Sequence, residues 1–286
     1  MKFALYCRQR GEEAFTHEVI HHLKQEGYDV TVHGNYPSAD SCLEHFYTHE
    51  DLKAQMPVDF MVSIGGDGSF IDAANLVGDL GIPLVGINTG RIGFLSGIRK
   101  ENFRECVREL SQGRFTLEER SLLHIESSEP LALEHSFVVN DITVRATGAD
   151  AIDAITVWAG GEKVNTYWAD GLIIATPTGS TAYSMSCGGP ILHPRSEVQV
   201  LTPIASHSLS VRPIVIPADT ELTVEVSSRT GSYSLALDTE RLIVPDQVRL
   251  RIGKEEFHIK TVLFENTNFY DIIREKLLWG LDKRNG

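Results

Sequence analysis

One aspartate lies inside a glycine-rich turn in the first quarter of the chain. Asp67 is the third residue of Gly65-Gly66-Asp67-Gly68, which follows a short apolar run at 59–64. Glycines let a ligand approach the main chain, and a helix that begins after such a turn offers free N–H groups to an anion. The motif is neither G-x-G-x-x-G nor a P-loop. It predicts an anion-binding loop into which one carboxylate projects, with an ordinary turn as the alternative.

A second glycine segment follows another apolar run, at 83–87. Residues 86–95 are Gly-Ile-Asn-Thr-Gly-Arg-Ile-Gly-Phe-Leu. Parallel sheets bind ligands at the carboxyl ends of their strands, so two such loops at neighbouring strand ends would form one crevice. The alternative is an ordinary strand-to-loop connection. Contacts with the phosphate oxygens of an anionic ligand are predicted at Gly65, Gly66, Asn88, Thr89, Gly90 and Arg91.

Two further segments have polar groups where a ligand could bind. The run at 176–186, Thr-Pro-Thr-Gly-Ser-Thr-Ala-Tyr-Ser-Met-Ser, follows an apolar stretch at 172–175. Its hydroxyls can bond to sugar hydroxyls, phosphate oxygens and base edges, and Tyr183 can stack on a base or pack in the core. Asn140-Asp141 interrupts the apolar run 137–144. Because an unpaired buried polar group costs about 1–3 kcal/mol, this pair needs partners, a cleft, a bulge or an exposed strand face.

The elements that position these residues change in type near residue 115. Before it, strand-like runs alternate with helical patterns at 12–26, 69–77 and 102–110, with Ser69 as a predicted N-cap. Such alternation is typical of a parallel sheet with flanking helices. After it, short β runs and a Gly160-Gly161 hairpin turn indicate an all-β, sandwich-like domain. We predict an α/β domain with the Gly65–Gly68 loop at 1–114, a β-rich domain at 115–265 and a helical segment at 266–286 that packs back on the first domain.

The composition limits the function classes. The chain has 286 residues, 42% of them hydrophobic, and a formal net charge of −13, which argues against nucleic acid as a partner. No stretch approaches the roughly 20 apolar residues of a membrane span, so no membrane association is expected. The four cysteines are scattered without a C-x-x-C pair, which favours a reducing compartment and a cytoplasmic location. No metal ligand is assigned from the spacing of residues.

In this order and spacing, the segments resemble the NAD kinase family over nearly the whole chain. The resemblance lies in GGDG at 65–68, GINTGRIGFL at 86–95, Asn140-Asp141, DGLIIATPTGSTAYS at 170–184, GGP at 188–190 and FYDIIREKLLWG at 269–280. Diacylglycerol and sphingosine kinases share the GGDG motif, whereas the Asn-Asp pair together with TPTGSTAYSMS is more specific. Three positions depart from the family: Asp141 replaces the commoner Glu, Trp168 stands where many members have Arg, and Thr239 replaces Gly after Asp238.

The resemblance implies an enzyme that transfers the γ-phosphoryl group of ATP to the 2′-hydroxyl of the adenosine ribose of NAD. Asp67 is then the general base. The resemblance also implies a divalent cation, usually Mg²⁺, a site between two domains, and assembly into homodimers or homotetramers. The residues assigned to NAD on this basis are Asp67, Gly68, Asn140, Asp141, Asp170, Thr181, Ala182, Tyr183, Ser184, Met185, Ser186 and Ala205.

Two other functions stay open at this stage. A lipid kinase would share the GGDG motif but would need an apolar acceptor pocket or a membrane-facing surface, which the acidic chain disfavours. A non-catalytic dinucleotide sensor would keep the adenosine contacts without phosphoryl transfer, and the intact Asp67 argues against it. The sequence leaves open the donor range, the acceptance of NADH, feedback regulation and the metal ligands.

Overall fold

A computed structural model describes residues 1–8, 11–34, 36, 43–90, 93–148, 153–265 and 268–278. The chain divides into two compact units. The first comprises Met1–Glu119 and Ile259–Gly286, and the second comprises Arg120–His258. The chain therefore leaves the first unit once and returns to it at its C-terminal end.

The elements of both units follow one another along the chain. The first stretch contains β1 (Lys2–Cys7), α1 (Glu13–Gln25), β2 (Asp29–His33), β3 (Glu44–Phe46), α2 (His49–Ala54), β4 (Phe60–Ile64), α3 (Asp67–Val77), β5 (Leu84–Asn88), β6 (Ile98–Arg99), α4 (Phe103–Ser111) and β7 (Thr116–Arg120). The middle stretch contains β8 (Leu123–Ser127), β9 (Phe137–Val138), β10 (Asp141–Ala146), β11 (Asp153–Ala159), β12 (Glu162–Ala169), β13 (Gly171–Ala175), α5 (Tyr183–Ser186), β14 (Val198–Ile204), β15 (Ile214–Pro217), β16 (Leu222–Ser227), β17 (Ser232–Leu237), β18 (Glu240–Pro245) and β19 (Leu250–Lys254). The last stretch contains β20 (Ile259–Leu263) and α6 (Phe269–Leu277).

The sheet of the first unit is predominantly parallel. Its strand order is β3-β2-β1-β4-β5-β20-β7, and β6 pairs with β5. The strands β1, β4 and β5 are buried along most of their length, as expected for strands covered on both faces. After β1 the chain builds outward to β3, then returns to place β4 on the other side of β1. The order therefore reverses between β1 and β4, and in open α/β sheets ligands bind beyond the carboxyl ends of the strands at such a point.

Helix α3 begins immediately after β4 and starts earlier than the sequence predicts. Gly66 occupies the N-cap position, and Asp67 is the first helical residue. The prediction of Ser69 as N-cap is therefore wrong, because Ser69 lies inside the helix and is buried. Gly66 has an extended conformation (φ −94°, ψ −168°) and no side chain to cap the helix. The N–H of Ser69 donates to the Gly66 carbonyl oxygen at 3.0 Å, which leaves Asp67 and Gly68 as the first-turn residues whose N–H groups could bind a ligand. An acidic residue in the first turn also suits the positive end of the helix dipole.

The second unit is a sandwich of two antiparallel sheets. One sheet has the order β15-β14-β13-β10-β17-β18 and the other β12-β11-β16-β19-β8-β9. Residues from both sheets, such as Val144 of β10 and Val157 of β11, belong to one buried apolar cluster. Buried side chains alternate with partly exposed ones along β17 and most of β11, so each sheet turns one face to this core. The predicted fold class, an α/β unit plus an all-β sandwich, is confirmed.

The sequence-based prediction placed residues 115–265 in the β-rich part, and the observed units divide elsewhere. Strand β20 pairs in parallel with β5, through Thr261 and Leu84, and so belongs to the sheet of the first unit. A short apolar strand has the same residue pattern in a parallel and in an antiparallel sheet, so only its pairing shows to which unit it belongs.

The helices α2 and α5 were not predicted, because each is at most six residues long and too short to show a helical period. The predicted turn at Gly160-Gly161 joins β11 and β12 as a hairpin.

Candidate active site

The carboxylate of Asp67 is bound by the loop that follows β5. Its Oδ2 accepts a hydrogen bond from the N–H of Phe94 at 2.8 Å. Its Oδ1 accepts bonds from the N–H groups of Leu95 and Ser96, each at 3.1 Å. The first two glycine-rich segments of the sequence therefore meet at this one side chain. A carboxylate has about four lone-pair sites, so the three bonds leave room for one more donor.

Glycine is required at two positions around this carboxylate. A Cβ on Gly93 would lie 1.6 Å from Oδ1 of Asp67, which is well inside the contact distance. Gly65 has φ +139°, and a Cβ there would lie 2.3 Å from the hydroxyl oxygen of Ser69. The loop and the helix start can approach this closely only because neither glycine has a side chain.

A charged cluster that the sequence analysis did not identify lies beside Gly68. Arg8 follows β1, and its Nη1 lies 3.0 Å from the position of a Cβ on Gly68. The Nε of Arg8 lies 3.3 Å from Oδ2 of Asp72, which also accepts a hydrogen bond of 2.8 Å from the Tyr6 hydroxyl. Asp72 lies on α3, so the cluster fixes a partly exposed guanidinium next to the start of that helix.

The side-chain amide of Asn88, at the end of β5, is hydrogen-bonded through its oxygen but not through its nitrogen with the described residues. Its Oδ1 accepts a hydrogen bond of 2.8 Å from the N–H of Gly90. This bond fixes which end of the amide is the oxygen. The Nδ2 is buried and makes no hydrogen bond with the described residues, although Asn88 is only 3% exposed. An unpaired buried donor is unfavourable and is a reason to look for a ligand.

Asn88 lies in the wall of a cavity of about 490 Å³ in the first unit. Cationic residues in the same wall are Arg99, Lys100 and Lys276, and the carboxylates are Glu101 and Glu275. Thr89 and Gly90 complete the side formed by the second glycine segment. Arg99 also forms an ion pair with Glu275.

Lys276, from α6, links this cavity to Asp67. Its Nζ lies 5.4 Å from the centre of the Phe94 ring, and Phe94 is one of the residues whose N–H binds Asp67. Burial lowers the pKa of the Lys276 ammonium, while the carboxylates of Asp67 and Glu275 act in the opposite direction. Lys276 is therefore half-buried beside two carboxylates, one of which is the candidate base.

In the second unit, Asp238 fixes the backbone of the Asn140-Asp141 pair. Its Oδ1 accepts hydrogen bonds from the N–H groups of Asn140 at 2.8 Å and Asp141 at 3.1 Å. Its Oδ2 accepts a bond of 2.8 Å from the N–H of Val139. Asp238 lies in the turn between β17 and β18 with φ +49°, a left-handed conformation that aspartate tolerates better than most residues. The Asp238 carboxylate therefore satisfies the backbone N–H groups of the polar pair and not its side chains.

The side chain of Asp141 is buried, which changes its acidity. Burial raises the pKa of this carboxyl to about 7, the hydrogen bond from Thr143 lowers it, and the negative charge of Asp238 raises it. The Thr143 hydroxyl donates to Oδ1 at 2.9 Å. Asp141 therefore titrates near neutral pH in the folded protein, where hydroxyl donors of a ligand would favour its ionised form.

The hydroxyl-rich segment packs directly on Asn140. The N–H of Thr176 donates to the carbonyl oxygen of Asn140 at 2.9 Å, and the Thr176 hydroxyl donates to that of Val139 at 2.6 Å. A Cβ on Gly179 would lie 2.0 Å from the Asn140 carbonyl oxygen, so only glycine fits there. The structure thus brings these two sequence segments together within the second unit.

Within this segment the side chains differ in their availability to a ligand. Tyr183 is 36% exposed, and its environment includes Asp141, Arg145 and Cys187. Ser184 is fully buried, and its hydroxyl lies 2.8 Å from that of Thr202. A Cβ on Gly189 would lie 2.2 Å from the Ser184 hydroxyl oxygen. Ser184 therefore fixes the loop to β14, whereas Thr181, Ala182, Met185 and Ser186 are at least partly exposed.

Asp170 and Ala205 lie next to each other at the ends of neighbouring strands. The N–H of Asp170 donates to the carbonyl oxygen of Ile204 at 3.1 Å. Both Asp170 and Ala205 are exposed, and Ala205 has φ +46°, which is unusual for alanine. Trp168 is 56% exposed, and its carbonyl oxygen accepts a bond from the N–H of His207.

The predicted site residues form two groups, one in each unit. Asp67, its flanking glycines and Asn88-Thr89-Gly90 belong to the first unit, and the remaining predicted contacts belong to the second. Arg91 lies outside the described residues. Sequence reasoning missed Arg8, Lys276 and the clamping role of Asp238. The one available signal was a charged residue beside an apolar strand, which is too common in proteins to be informative.

Metal-binding clusters and membrane-spanning helices are both absent from the described residues. They contain no group of three or more His, Cys, Asp or Glu side chains able to hold a metal ion. The described side chains thus do not fit a resident metal. No helix among them is long and apolar enough to cross a membrane.

Two sequence models of one family match most of the chain. The model of the ATP-NAD kinase N-terminal domain matches residues 5–115, and that of the ATP-NAD kinase C-terminal domain matches residues 139–264. Curated relatives named NAD kinase include those of Flavobacterium johnsoniae, 43% identical, and Cytophaga hutchinsonii, 37% identical. Each of these two alignments covers 100% of this chain and 100% of the relative.

Solved structures support the fold. Yeast NADH kinase complexed with NADH is 22% identical, with a TM-score of 0.87 and coverage of 99% of this chain and 89% of that chain. An NAD kinase from Archaeoglobus fulgidus in complex with ATP is 24% identical, with a TM-score of 0.75 and coverage of 97% of this chain and 99% of that chain.

The fold, the glycine–aspartate loop and these matches define the class as a nucleotide-dependent phosphotransferase. The chain belongs to the NAD kinase family. The names and full-length similarity of the curated relatives support NAD kinase activity over a lipid kinase or a non-catalytic dinucleotide sensor.

Proposed function

We propose that this enzyme transfers the γ-phosphoryl group of ATP to the 2′-hydroxyl of the adenosine ribose of NAD, with Asp67 orienting that hydroxyl and accepting its proton. The observation that carries the proposal is the position of the Asp67 carboxylate, at the first turn of α3 and bound by three amides of the neighbouring loop. These bonds hold the carboxylate in one orientation, which general-base catalysis requires.

The donor phosphates are assigned to the first unit. The N–H groups at the start of α3 favour an anion, and Gly66, where nothing lies within 4 Å of a Cβ position, leaves space for it to approach the main chain beside Gly65. Asn88, Thr89 and Gly90 add a second set of polar groups at the end of β5. Mg²⁺ would bind together with the donor, as a complex with ATP. In phosphoryl-transfer sites this ion is held largely by the substrate phosphates and water.

The acceptor is assigned to residues of the second unit. Asn140 and Asp141 are proposed to bind ribose hydroxyls or the base region, because their backbone is fixed by Asp238 and by the hydroxyl-rich segment. The partly exposed Tyr183 offers a ring on which the adenine can stack. The proposed contacts are completed by Gly68, Asp170, Thr181, Ala182, Met185, Ser186 and Ala205. The hydroxyl of Ser184, also a predicted contact, is buried against that of Thr202, so we propose that Ser184 positions this loop.

The chemical step follows from the loose transition state of phosphoryl transfer. The bond between the γ-phosphorus and the β–γ bridging oxygen breaks, the bond from the ribose 2′-oxygen to that phosphorus forms, and ADP leaves. The hydroxyl proton passes late to Asp67 and then to solvent. Because little covalent chemistry is asked of the protein, most of the rate enhancement comes from positioning and from neutralising charge.

A coupled assay tests this function directly. Purified enzyme is incubated with NAD, ATP and Mg²⁺, and NADP is measured with an NADP-specific dehydrogenase. Formation of NADP that requires all three components supports the proposal. Saturable NAD binding without NADP formation from ATP, another nucleoside triphosphate or polyphosphate would favour the sensor. Replacement of NAD by NADH in the same assay establishes the acceptor range.

Self-association into homodimers or homotetramers and a cytoplasmic location are proposed from the resemblance to the family. The net charge of −13 supports the further proposal that nucleic acid is not a partner. Light scattering coupled to size-exclusion chromatography measures the oligomeric state, and a result of one chain per particle would contradict the first of these proposals.

A further inference from the structure

The C-terminal helix brings a lysine to the cavity beside the candidate base. Lys276 lies near the end of α6, almost 200 residues after Asn88, yet both belong to the wall of the same 490 Å³ cavity. Its ammonium is half-buried, lies over the Phe94 ring and is close enough to Asp67 to feel its charge. No sequence motif assigned a role to this residue.

The cavity has the chemistry of an anion site. Three cationic side chains and two carboxylates line it, so it has net positive charge in a chain whose formal net charge is −13. Arg99 is engaged with Glu275, which leaves Lys100 and Lys276 as the cations most available to a ligand. The buried Nδ2 of Asn88 is a neutral donor without a partner among the described residues. An excess of cations over carboxylates, together with an unpartnered buried donor, indicates a ligand that carries oxygen acceptors and negative charge.

We propose that Asn88, Lys100 and Lys276 form a binding subsite for the polyphosphate tail of the donor, with Lys276 as its principal positioning cation. This inference rests on the proposed function. Both Asp67 and the tail are negatively charged, so their mutual repulsion opposes the approach of the donor to the base. A cation beside both groups offsets that repulsion. In this arrangement Lys276 does not touch the ribose hydroxyl and takes no part in proton transfer.

Substitution of Lys276 separates charge from packing. Lys276→Met keeps a long apolar side chain against Phe94 but removes the charge, and Lys276→Arg keeps the charge. We expect Lys276→Met to raise the KM for ATP about tenfold or more, the size expected for loss of a charge-assisted contact, and to leave the KM for NAD within about twofold. Lys276→Arg should recover most of the loss. The matched control is Lys53→Met, at an exposed lysine of α2 in the same unit.

Asn88→Asp tests the unpaired donor. It retains an oxygen that accepts the hydrogen bond from Gly90 and replaces the Nδ2 donor with a second acceptor. The turn is therefore preserved while an anion is repelled, and the KM for ATP should rise with little change in Tm. If the KM for ATP rises and the Tm also falls clearly below that of the wild type, Asn88 has a structural role instead.

Binding of inorganic tripolyphosphate, measured by calorimetry without NAD, distinguishes this inference from the proposed function. Binding to the wild type that weakens in Lys276→Met and in Asn88→Asp, but not in Lys53→Met, supports the subsite whether or not NADP is formed. The inference is overturned if tripolyphosphate does not bind the wild type, or if Lys276→Met leaves both its binding and the KM for ATP unchanged. It is also overturned if the KM values for NAD and ATP rise together.

Discussion

The Oδ1 of Asp238 lies 2.8 Å from the backbone nitrogen of Asn140, 98 residues earlier in the chain. The same carboxylate binds the N–H groups of Val139 and Asp141, so one side chain satisfies three consecutive amides at the start of β10. This bond network holds the polar pair in place without using the side chains of the pair. A carboxylate in a hairpin turn can therefore be essential to a binding site without contacting the ligand.

Asp238→Ala should destabilise the enzyme and weaken NAD binding together. Three amides lose a charged acceptor, and alanine is strained at φ +49°, so we expect a loss of roughly 2–4 kcal/mol in stability. The KM for NAD should rise, because the backbone of Asn140-Asp141 is no longer fixed. Thermal unfolding and steady-state kinetics measure the two effects.

Asp238→Asn is the matched comparison. Asparagine adopts positive φ and keeps one acceptor oxygen, so both losses should be smaller than with alanine. If Asp238→Ala were as stable as the wild type, with an unchanged KM for NAD, the hydrogen bonds accepted by Asp238 would have no role in the site.

Gly93→Ala should lower turnover by moving the candidate base. The new methyl group would lie 1.6 Å from Oδ1 of Asp67, so either the carboxylate or the loop must shift. A misplacement of about 1 Å can cost about 10²-fold in rate when positioning dominates catalysis. Gly97→Ala is the control in the same loop, because nothing lies within 4 Å of a Cβ there. Equal turnover in the two variants would contradict the importance of this packing.

Substitution of Asp67 should affect both chemistry and stability. We expect Asp67→Ala to lower kcat about 10²-fold or more through loss of the base, and to lower Tm because the amides of Phe94, Leu95 and Ser96 lose their acceptor. Asp67→Asn keeps one acceptor oxygen, so its Tm should lie closer to that of the wild type. If its kcat is nevertheless as low as that of Asp67→Ala, the loss is chemical. Near-normal turnover in either variant would remove Asp67 from the proposed role.

The buried Asp141 should make stability depend on pH near neutrality. Its folded pKa of about 7 lies above the ordinary value of 3.8, so the folded state holds the proton more tightly than the unfolded state. The stabilisation from this group is therefore fully present below about pH 4 and is lost as the pH rises through 7. Asp141→Asn removes this dependence and keeps the oxygen that accepts from Thr143.

The Tm difference between Asp141→Asn and the wild type, measured from pH 5 to 8, tests this expectation. The variant should gain relative stability as the pH rises, and the gain should level off above the folded pKa. A difference independent of pH would mean that Asp141 is already ionised at pH 5. Asp219→Asn, at an exposed position of the same unit, provides the control for general effects of removing a carboxylate.

Local patterns in the sequence were sufficient to predict several features. The alternation of strands and helices before residue 115, and the dense short strands after it, correctly predicted the fold class. The start of β1 and its end at Cys7 follow directly from its run of apolar residues. By contrast, the N-cap of α3 was misplaced, because serine is the commoner cap and Gly66 takes the position through its backbone conformation alone.

The sequence by itself determined the motifs: a carboxylate between glycines, an Asn-Asp pair in an apolar strand and a hydroxyl-rich loop. These depend on neighbours within a few residues, whose types restrict backbone conformation and polarity directly. Only the tertiary structure decided which distant groups meet them. Asp238 reaches Asn140, and Lys276 reaches the cavity of Asn88, because sheet pairing and the return of the chain to the first unit bring them together. Such contacts depend on the packing of whole elements, which no short stretch of sequence encodes.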